Sequence, residues 1–221
     1  MAWGNASVIE LFTSQGCSSC PEADQLLEQL SHRPDIIALS FPVSYWDYLG
    51  WKDTLARPEN TERQRNYAKS LGDGEVYTPQ AIINGVRNCV GSNREEIEAA
   101  VEATAPVIGE NAVPIFVRRE NGKLIIDVGG APEGSRHRKG KVWVATVREP
   151  LAVPIHRGEN AGSVVTYTNV VRKLTEAGDW EGAPASYALP LSAIAADEES
   201  LVVFLQSERF GRIFAATRAG E

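Results

Sequence analysis

Residues 7–21 read Ser7-Val8-Ile9-Glu10-Leu11-Phe12-Thr13-Ser14-Gln15-Gly16-Cys17-Ser18-Ser19-Cys20-Pro21. Val8 to Phe12 is β-branched and aromatic and reads as a short buried strand. Thr13 to Gly16 is a polar turn. Cys17 to Leu30 then reads as a helix, because Ala23, Leu26, Leu27 and Leu30 fall at i, i+3, i+4 and i+7, one face of a 3.6-residue period. A strand that turns into a helix opening on Cys-x-x-Cys sets two sulfurs at the positive end of a helix dipole.

Outward from this stretch the strand and helix signals alternate. Ser31 to Asp35 breaks the helix, and Ile36 to Val43 is a second strand. Pro58 to Leu71 reads as a helix, with Pro58 in its first turn, Glu59 and Glu62 at its positive end and Gly72 at its stop. Asn84-Gly85 between Pro79–Asn84 and Val86–Val90 predicts a two-residue hairpin turn, since both central residues need positive φ. Ser92 with Glu95 predicts a capping box for a helix over Asn93–Thr104. The strand-helix-strand part implies a right-handed parallel unit, and the hairpin adds antiparallel strands.

The pattern changes near Pro106. Ile115–Arg118 and Lys123–Val128 flank Asn121-Gly122, a second hairpin signal. Lys141–Arg148, Val164–Lys173, Leu201–Gln206 and Arg212–Thr217 are further strand-like runs, which predicts a sandwich or small barrel. The expected fold is therefore α/β: a mixed sheet flanked by helices over residues 5–108, then a β-rich, sandwich-like region over residues 111–221. The basic stretch Arg136 to Lys139 reads as a solvated loop.

Composition narrows the function classes. The 221 residues are 43% hydrophobic and 23% charged, a globular balance. A net charge of −7 argues against a general binder of nucleic acid, which needs a basic surface. No apolar run approaches the roughly 20 residues of a spanning helix. The cysteines are Cys17, Cys20 and Cys89, too few for a disulfide scaffold.

The chemistry sits in Cys17-Ser18-Ser19-Cys20. A thiolate is the attacking species, and a helix start lowers cysteine pKa to roughly 3.5–7.5, against about 8.5 for free cysteine. Two intervening residues let the second sulfur reach back and resolve a mixed disulfide. Cys17 is thus the candidate nucleophile and Cys20 the resolving thiol. Half a zinc site is the competing reading, but Cys89, His32, His137 and His156 supply no second closely spaced pair. A structural disulfide closing so short a loop would stabilise little. Thr78-Pro79 precedes a strand opposite the cysteine helix; a cis bond there would turn the Thr78 backbone towards the sulfur, where an incoming extended chain can pair with it.

This ordered set resembles the thioredoxin-like superfamily over roughly residues 5–105. More narrowly, the chain resembles an uncharacterised secreted family, the domain of unknown function numbered 1223. The residues that carry this are Glu10 to Pro21, Tyr45-Trp46-Asp47 through Gly50-Trp51-Lys52-Asp53, Tyr77-Thr78-Pro79-Gln80, Val90-Gly91-Ser92, and Gly158-Glu159-Asn160 through Tyr167-Thr168-Asn169-Val170-Val171-Arg172. The resemblance implies a thioredoxin-like fold and export, with a periplasmic or secreted location and a leader absent from this chain; a cytoplasmic location is the alternative. It implies little about substrate, because fold is not function.

The expected activity is thiol–disulfide exchange with a protein or small-molecule substrate, a redox-recycling partner of unknown identity and no cofactor. Two rivals stand beside it: a Cu(I) carrier using the two thiolates, and an interaction module without redox turnover. Tyr45, Trp46 and Asp47 open an aromatic loop that reads either as a wall gripping substrate beside the sulfurs or as a structural cap. In the first reading Asp47 accepts the Cys20 proton. Arg63 and Arg65 read as the solvated face of their helix, and Cys89 as a small buried hydrophobe. His156 to Asn160 reads either as a loop reaching the cysteine end or as a turn between strands.

Overall fold

The computed structural model describes residues 6–72, 74–105, 112–135, 138–194 and 199–220. Arg136 and His137 of the basic stretch, and the composition change at 106–111, lie outside these residues.

Strand β1 (Ser7–Thr13) is central and wholly buried. It pairs in parallel with β2 (Ile36–Pro42) and antiparallel with β3 (Gln80–Ile83), which forms a hairpin with β4 (Arg87–Val90). Three helices cover these strands: α1 (Cys20–Ser31), α2 (Pro58–Leu71) and α3 (Arg94–Thr104). Successive β1 side chains point to opposite faces. Ile9 and Leu11 therefore pack with Ala23, Leu26, Leu27 and Leu30 of α1 and Ile97 of α3, while Val8 and Phe12 pack with Tyr67 of α2. The α1 stripe read from the sequence is the buried face.

The same sheet continues into the second half of the chain. Strands β7 (Gly140–Arg148), β10 (Val170–Trp180), β12 (Ser200–Ser207) and β13 (Ile213–Arg218) extend it, giving the order β13-β12-β7-β10-β2-β1-β3-β4. The junction is the parallel bridge Val170–Ser40, reinforced by Asn169, whose Nδ2 donates to Ala38 O at 3.0 Å. A three-stranded sheet of β5 (Ile115–Glu120), β6 (Lys123–Val128) and β11 (Ala185–Pro190) lies over β7 and β12. Ile115, Leu124 and Ile126 meet Val142, Val144, Val203 and Trp180 in one core, which is the expected sandwich-like region. Helix α4 (Leu191–Ile194) follows β11. A hairpin of β8 (Leu151–Pro154) and β9 (Val164–Tyr167) packs Val153, Ile155 and Tyr167 on Trp51 and Leu55.

Both Asn-Gly turns form with positive φ at each residue: Asn84 49° and Gly85 70°, Asn121 50° and Gly122 72°. Asn84 does more than turn. Its Oδ1 accepts from Val8 N at 2.7 Å and its Nδ2 reaches Thr104 Oγ1 at 3.0 Å. A Cβ at position 85 would collide with the Gly211 carbonyl, so this turn needs glycine for space as well as for φ.

Four local expectations are corrected. Helix α1 starts at Cys20, not Cys17. Pro21 has no N–H to give to Cys17 O and is tolerated only in a first turn, which fixes the start beside it. The N-cap of α3 is Asn93, whose side chain accepts from Glu96 N, so the Ser92–Glu95 pair is displaced by one residue. The run Val164–Lys173 divides at Thr168-Asn169, where Asn169 takes φ 51°, and its two parts join different sheets. Arg63 is 4% exposed, not solvated. It forms a bidentate pair with Glu10 of β1, Nε to Oε2 at 2.5 Å and Nη2 to Oε1 at 2.8 Å. Arg65 is exposed as expected.

Candidate functional site

Cys17 and Cys20 form a disulfide with Cα atoms 5.4 Å apart. Cys17 lies on the turn before α1, and its N–H donates to Ser14 O at 3.1 Å. Cys20 is the first residue of the helix. Both sulfurs are on buried residues, while Ser18 and Ser19 are exposed. No ionisable third cysteine competes nearby: burial, with Glu96 adding to it, pushes the Cys89 thiol up to about 12, which keeps it inert.

The Thr78–Pro79 bond is cis, and Thr78 O lies 3.7 Å from Cys17 Sγ. Trp46 joins this edge, its Nε1 donating to Thr78 Oγ1 at 2.7 Å. Tyr45 is a neighbour of Trp46, with ring centroids 6.3 Å apart, and Tyr48 stacks on Trp46 at 6.4 Å. Tyr48 is 77% exposed. The structure thus brings Cys17, Cys20, Thr78, Pro79 and Trp46 together and leaves an open aromatic ledge beside them. Asp47 is engaged elsewhere: its Oδ1 accepts from Asp53 N at 3.1 Å and closes the aromatic loop.

Two carboxylates that the sequence reading passes over lie behind the disulfide. Asp24 stands one helical turn after Cys20, on the same face. It is 2% exposed; Thr13 Oγ1 donates to Oδ2 at 3.1 Å, and Oδ1 has no hydrogen-bond partner. Burial raises its pKa well above the usual carboxylate value; the Thr13 hydrogen bond opposes this by less, and the charge of Asp53 adds a smaller increase. Asp53 accepts from the N–H groups of Gln15, Leu55 and Ala56, yet burial still raises its pKa. Tyr167 of β9 is raised too, by burial first and then by Asp24 and Asp53.

The second half of the chain reaches the cysteine turn through residues 156–160. Asn160 is buried, and its Nδ2 donates to Gln15 O at 3.0 Å and to Cys17 O at 2.9 Å. Glu159 Oε2 accepts from Ser18 N at 3.2 Å. His156 meets Trp51 edge-on at 5.7 Å, and Trp51 Nε1 donates to Gln15 Oε1 at 2.8 Å. Both readings the sequence left for this segment hold: it connects strands β8 and β9, and it reaches the cysteine end. Only its placement in the motif-bearing stretch Gly158-Glu159-Asn160 signalled this. Gln15 and Asp53 lie in such stretches too, whereas Asp24 gave no such signal, because polar residues in helices are ordinarily solvated.

Among the described residues, no group of three or more His, Cys, Asp or Glu side chains is arranged to hold a metal, and no helix is long and apolar enough to cross a membrane.

Comparison with known proteins agrees with this architecture. Residues 8–206 match the family described as protein of unknown function (DUF1223). A crystal structure of a protein from Agrobacterium tumefaciens is similar, with 32% identity and a TM-score of 0.82 over 99% of this chain and 96% of that one. HBP35 of Porphyromonas gingivalis shares the fold at 11% identity and a TM-score of 0.62, over 98% of this chain and 75% of its own. No curated protein matches. The chain belongs to the DUF1223 family.

Proposed function

We propose that the protein is an exported, thioredoxin-like thiol–disulfide oxidoreductase, with Cys17 as the attacking sulfur and Cys20 as the resolving one. The observation that carries this reading is the Cys17–Cys20 disulfide held between the end of β1 and the start of α1, with Cys17 Sγ facing the Thr78 carbonyl. Export agrees with a disulfide in the native chain, since such bonds persist in oxidising compartments.

The electron balance is that of two exchanges. In the reduced protein the Cys17 thiolate attacks one sulfur of a substrate disulfide. A Cys17–substrate bond forms, the substrate bond breaks, and one substrate thiolate leaves. The Cys20 thiolate then attacks Cys17 Sγ, restoring the Cys17–Cys20 disulfide and releasing the second substrate thiol. The substrate is reduced by two electrons and the protein oxidised by two. A dithiol recycling partner reverses the second state; with a substrate dithiol instead, the same steps run backwards.

The site residues divide the work. The helix start and its free N–H groups favour the thiolate. Thr78 offers its backbone to an extended substrate segment, and Trp46, Tyr45 and the stacked Tyr48 supply an apolar ledge for it. Asp24, rather than Asp47, is suited to carry the Cys20 proton, because it stands one helical turn after Cys20 and burial raises its pKa well above the usual carboxylate value. Asp47 holds the ledge in place.

The test is a pH titration of thiolate absorbance in the reduced protein, together with insulin reduction. The expected result is a thiolate titrating well below pH 8 that disappears in Cys17→Ser and persists in Cys20→Ser. Thiols that titrate like free cysteine, near pH 8.5, with no insulin turnover would overturn the reading.

A further inference from the structure

A second feature lies on the α2 face of the sheet, opposite the helix that carries Cys20. It is a cavity of about 440 Å³ between α2 and β10, within the range of small-molecule sites. Its body is apolar: Phe41, Trp143 and Phe210 contribute rings, and Val171 and Leu174 contribute aliphatic wall. Charged side chains line the rest of it. Arg57, Arg172 and Lys173 line it against Glu59 and Glu62, both exposed at the rim. Arg63 also lines it, but its charge is already met by Glu10. The Lys173 ammonium is engaged elsewhere, donating to Ala193 O at 2.9 Å, so the Arg57 and Arg172 guanidiniums are the cations left to face the cavity.

Neither Arg57 nor Arg172 forms an ion pair among the described residues. Arg57 Nε and Arg63 Nη1 are buried with no hydrogen-bond partner. Burial first, then the neighbouring charges of Arg57 and Arg148, make the protonated form of Arg172 harder to hold, and the smaller opposing effect of the Glu199 charge does not offset them. Two partly buried guanidiniums facing one apolar space raise the energy of the empty site; an anion between them would lower it. A planar carboxylate matches the guanidinium fork, and flat rings match the walls.

We propose that this cavity binds a small aromatic monocarboxylate, with its carboxylate between Arg57 and Arg172 and its ring against Phe41, Trp143 and Phe210. The site is independent of the cysteine chemistry. It would make the protein a ligand-binding protein as well, whatever becomes of the redox reading.

Calorimetric titration of the full chain with 2-naphthoate tests this, with 2-naphthalenemethanol as its uncharged counterpart. The expected dissociation constant for 2-naphthoate is below about 1 mM, with the alcohol about tenfold weaker or more. Arg172→Gln, folded by circular dichroism, should weaken 2-naphthoate about tenfold and leave the alcohol within about twofold; Arg57→Gln should act in the same direction. Equal binding of acid and alcohol, no binding of either, or an unchanged affinity in both variants would overturn the proposal. Tighter binding of decanoate than of 2-naphthoate would overturn the aromatic assignment.

Discussion

Two buried polar clusters flank the central sheet, and they are built on opposite principles. Around Glu10 both carboxylate oxygens are paired: Arg63 bridges them, Tyr67 OH donates to Oε1 at 2.5 Å, and Gln206 of β12 donates to Tyr67 at 2.8 Å. The Arg63 guanidinium also lies over the rings of Phe41, Tyr67, Phe204 and Phe210, at 5.0 to 5.6 Å. Burial opposes the arginine's charge, but Glu10 and Tyr67 outweigh it. Around Asp24 the pairing is incomplete: one oxygen has no partner, and a second buried carboxylate, Asp53, stands near enough to raise it further. The first cluster is a lock between α2, β1 and β12. The second is a carboxyl group whose burial favours its protonated form, one helical turn after Cys20. A carboxylate with both oxygens paired fixes structure, and one with an oxygen left over is free to change state.

The largest effect should come from breaking the lock. Arg63→Met leaves Glu10 charged and buried without its partner, a loss of about 3–5 kcal/mol. Glu10→Met with Arg63→Met removes both charges and should recover most of this, since apolar replacement of a whole buried pair is often near neutral. Urea unfolding measures both. A single substitution costing under about 1 kcal/mol would show that the cluster does not hold the halves of the chain together.

Asp24→Asn probes the other cluster, with the opposite sign. The folded pKa of Asp24 lies above its unfolded value, so between the two values the native state holds a proton that the unfolded chain has lost. Stability is therefore lost as pH rises through that window, by about 1.4 kcal/mol per pH unit. Asparagine keeps the acceptor for Thr13 and cannot ionise. The variant should be more stable than the parent at pH 7 and equal to it at pH 3, with a flatter profile between. Unfolding midpoints across pH 3–8 decide this, and a variant less stable at pH 7 would remove the proton from the account.

The contrast also explains what the sequence made legible. The α1 stripe, both Asn-Gly turns, the Pro58–Gly72 helix and the Cys-x-x-Cys turn each depend on residues within one turn or hairpin, and each was readable locally. Arg63 was misread because a solvated arginine and a buried one look alike on a helix, and its partner lies 53 residues upstream. Strands β8 and β11 escaped notice for a related reason: Leu151–Pro154 and Ala185–Pro190 carry prolines and short alternations that only pairing with β9 and β6 turns into strands. Asp24 sat in plain view beside Cys20, but its burial is conferred by β9 and the aromatic loop, far along the chain.

Asn160 links the two halves at the cysteine end, where the lock has no reach. Asn160→Ala deletes donors to Gln15 O and Cys17 O, at a cost of about 1–2 kcal/mol for acceptors left inside. The turn that carries Cys17 should loosen as well, so alkylation of the reduced protein should accelerate more than global stability falls. Equal changes in both would mean that Asn160 supports the fold and nothing more.

The smallest predicted effect is the most specific to the chemistry. Glu159 takes the Ser18 N–H, a backbone donor beside Cys17, and puts a carboxylate near a sulfur that must become anionic. Both features disfavour the thiolate, so the reduced form is held at higher energy. Glu159→Gln keeps the side-chain shape and removes the charge. The Cys17 pKa should fall by a few tenths of a pH unit, as expected for an exposed charge, and the reduction potential should rise, because the reduced state is then the better stabilised one. Raising the salt concentration should shrink the difference between parent and variant, since screening acts on an exposed carboxylate. A change that persists undiminished in 1 M salt would point to an altered turn rather than to the charge of Glu159.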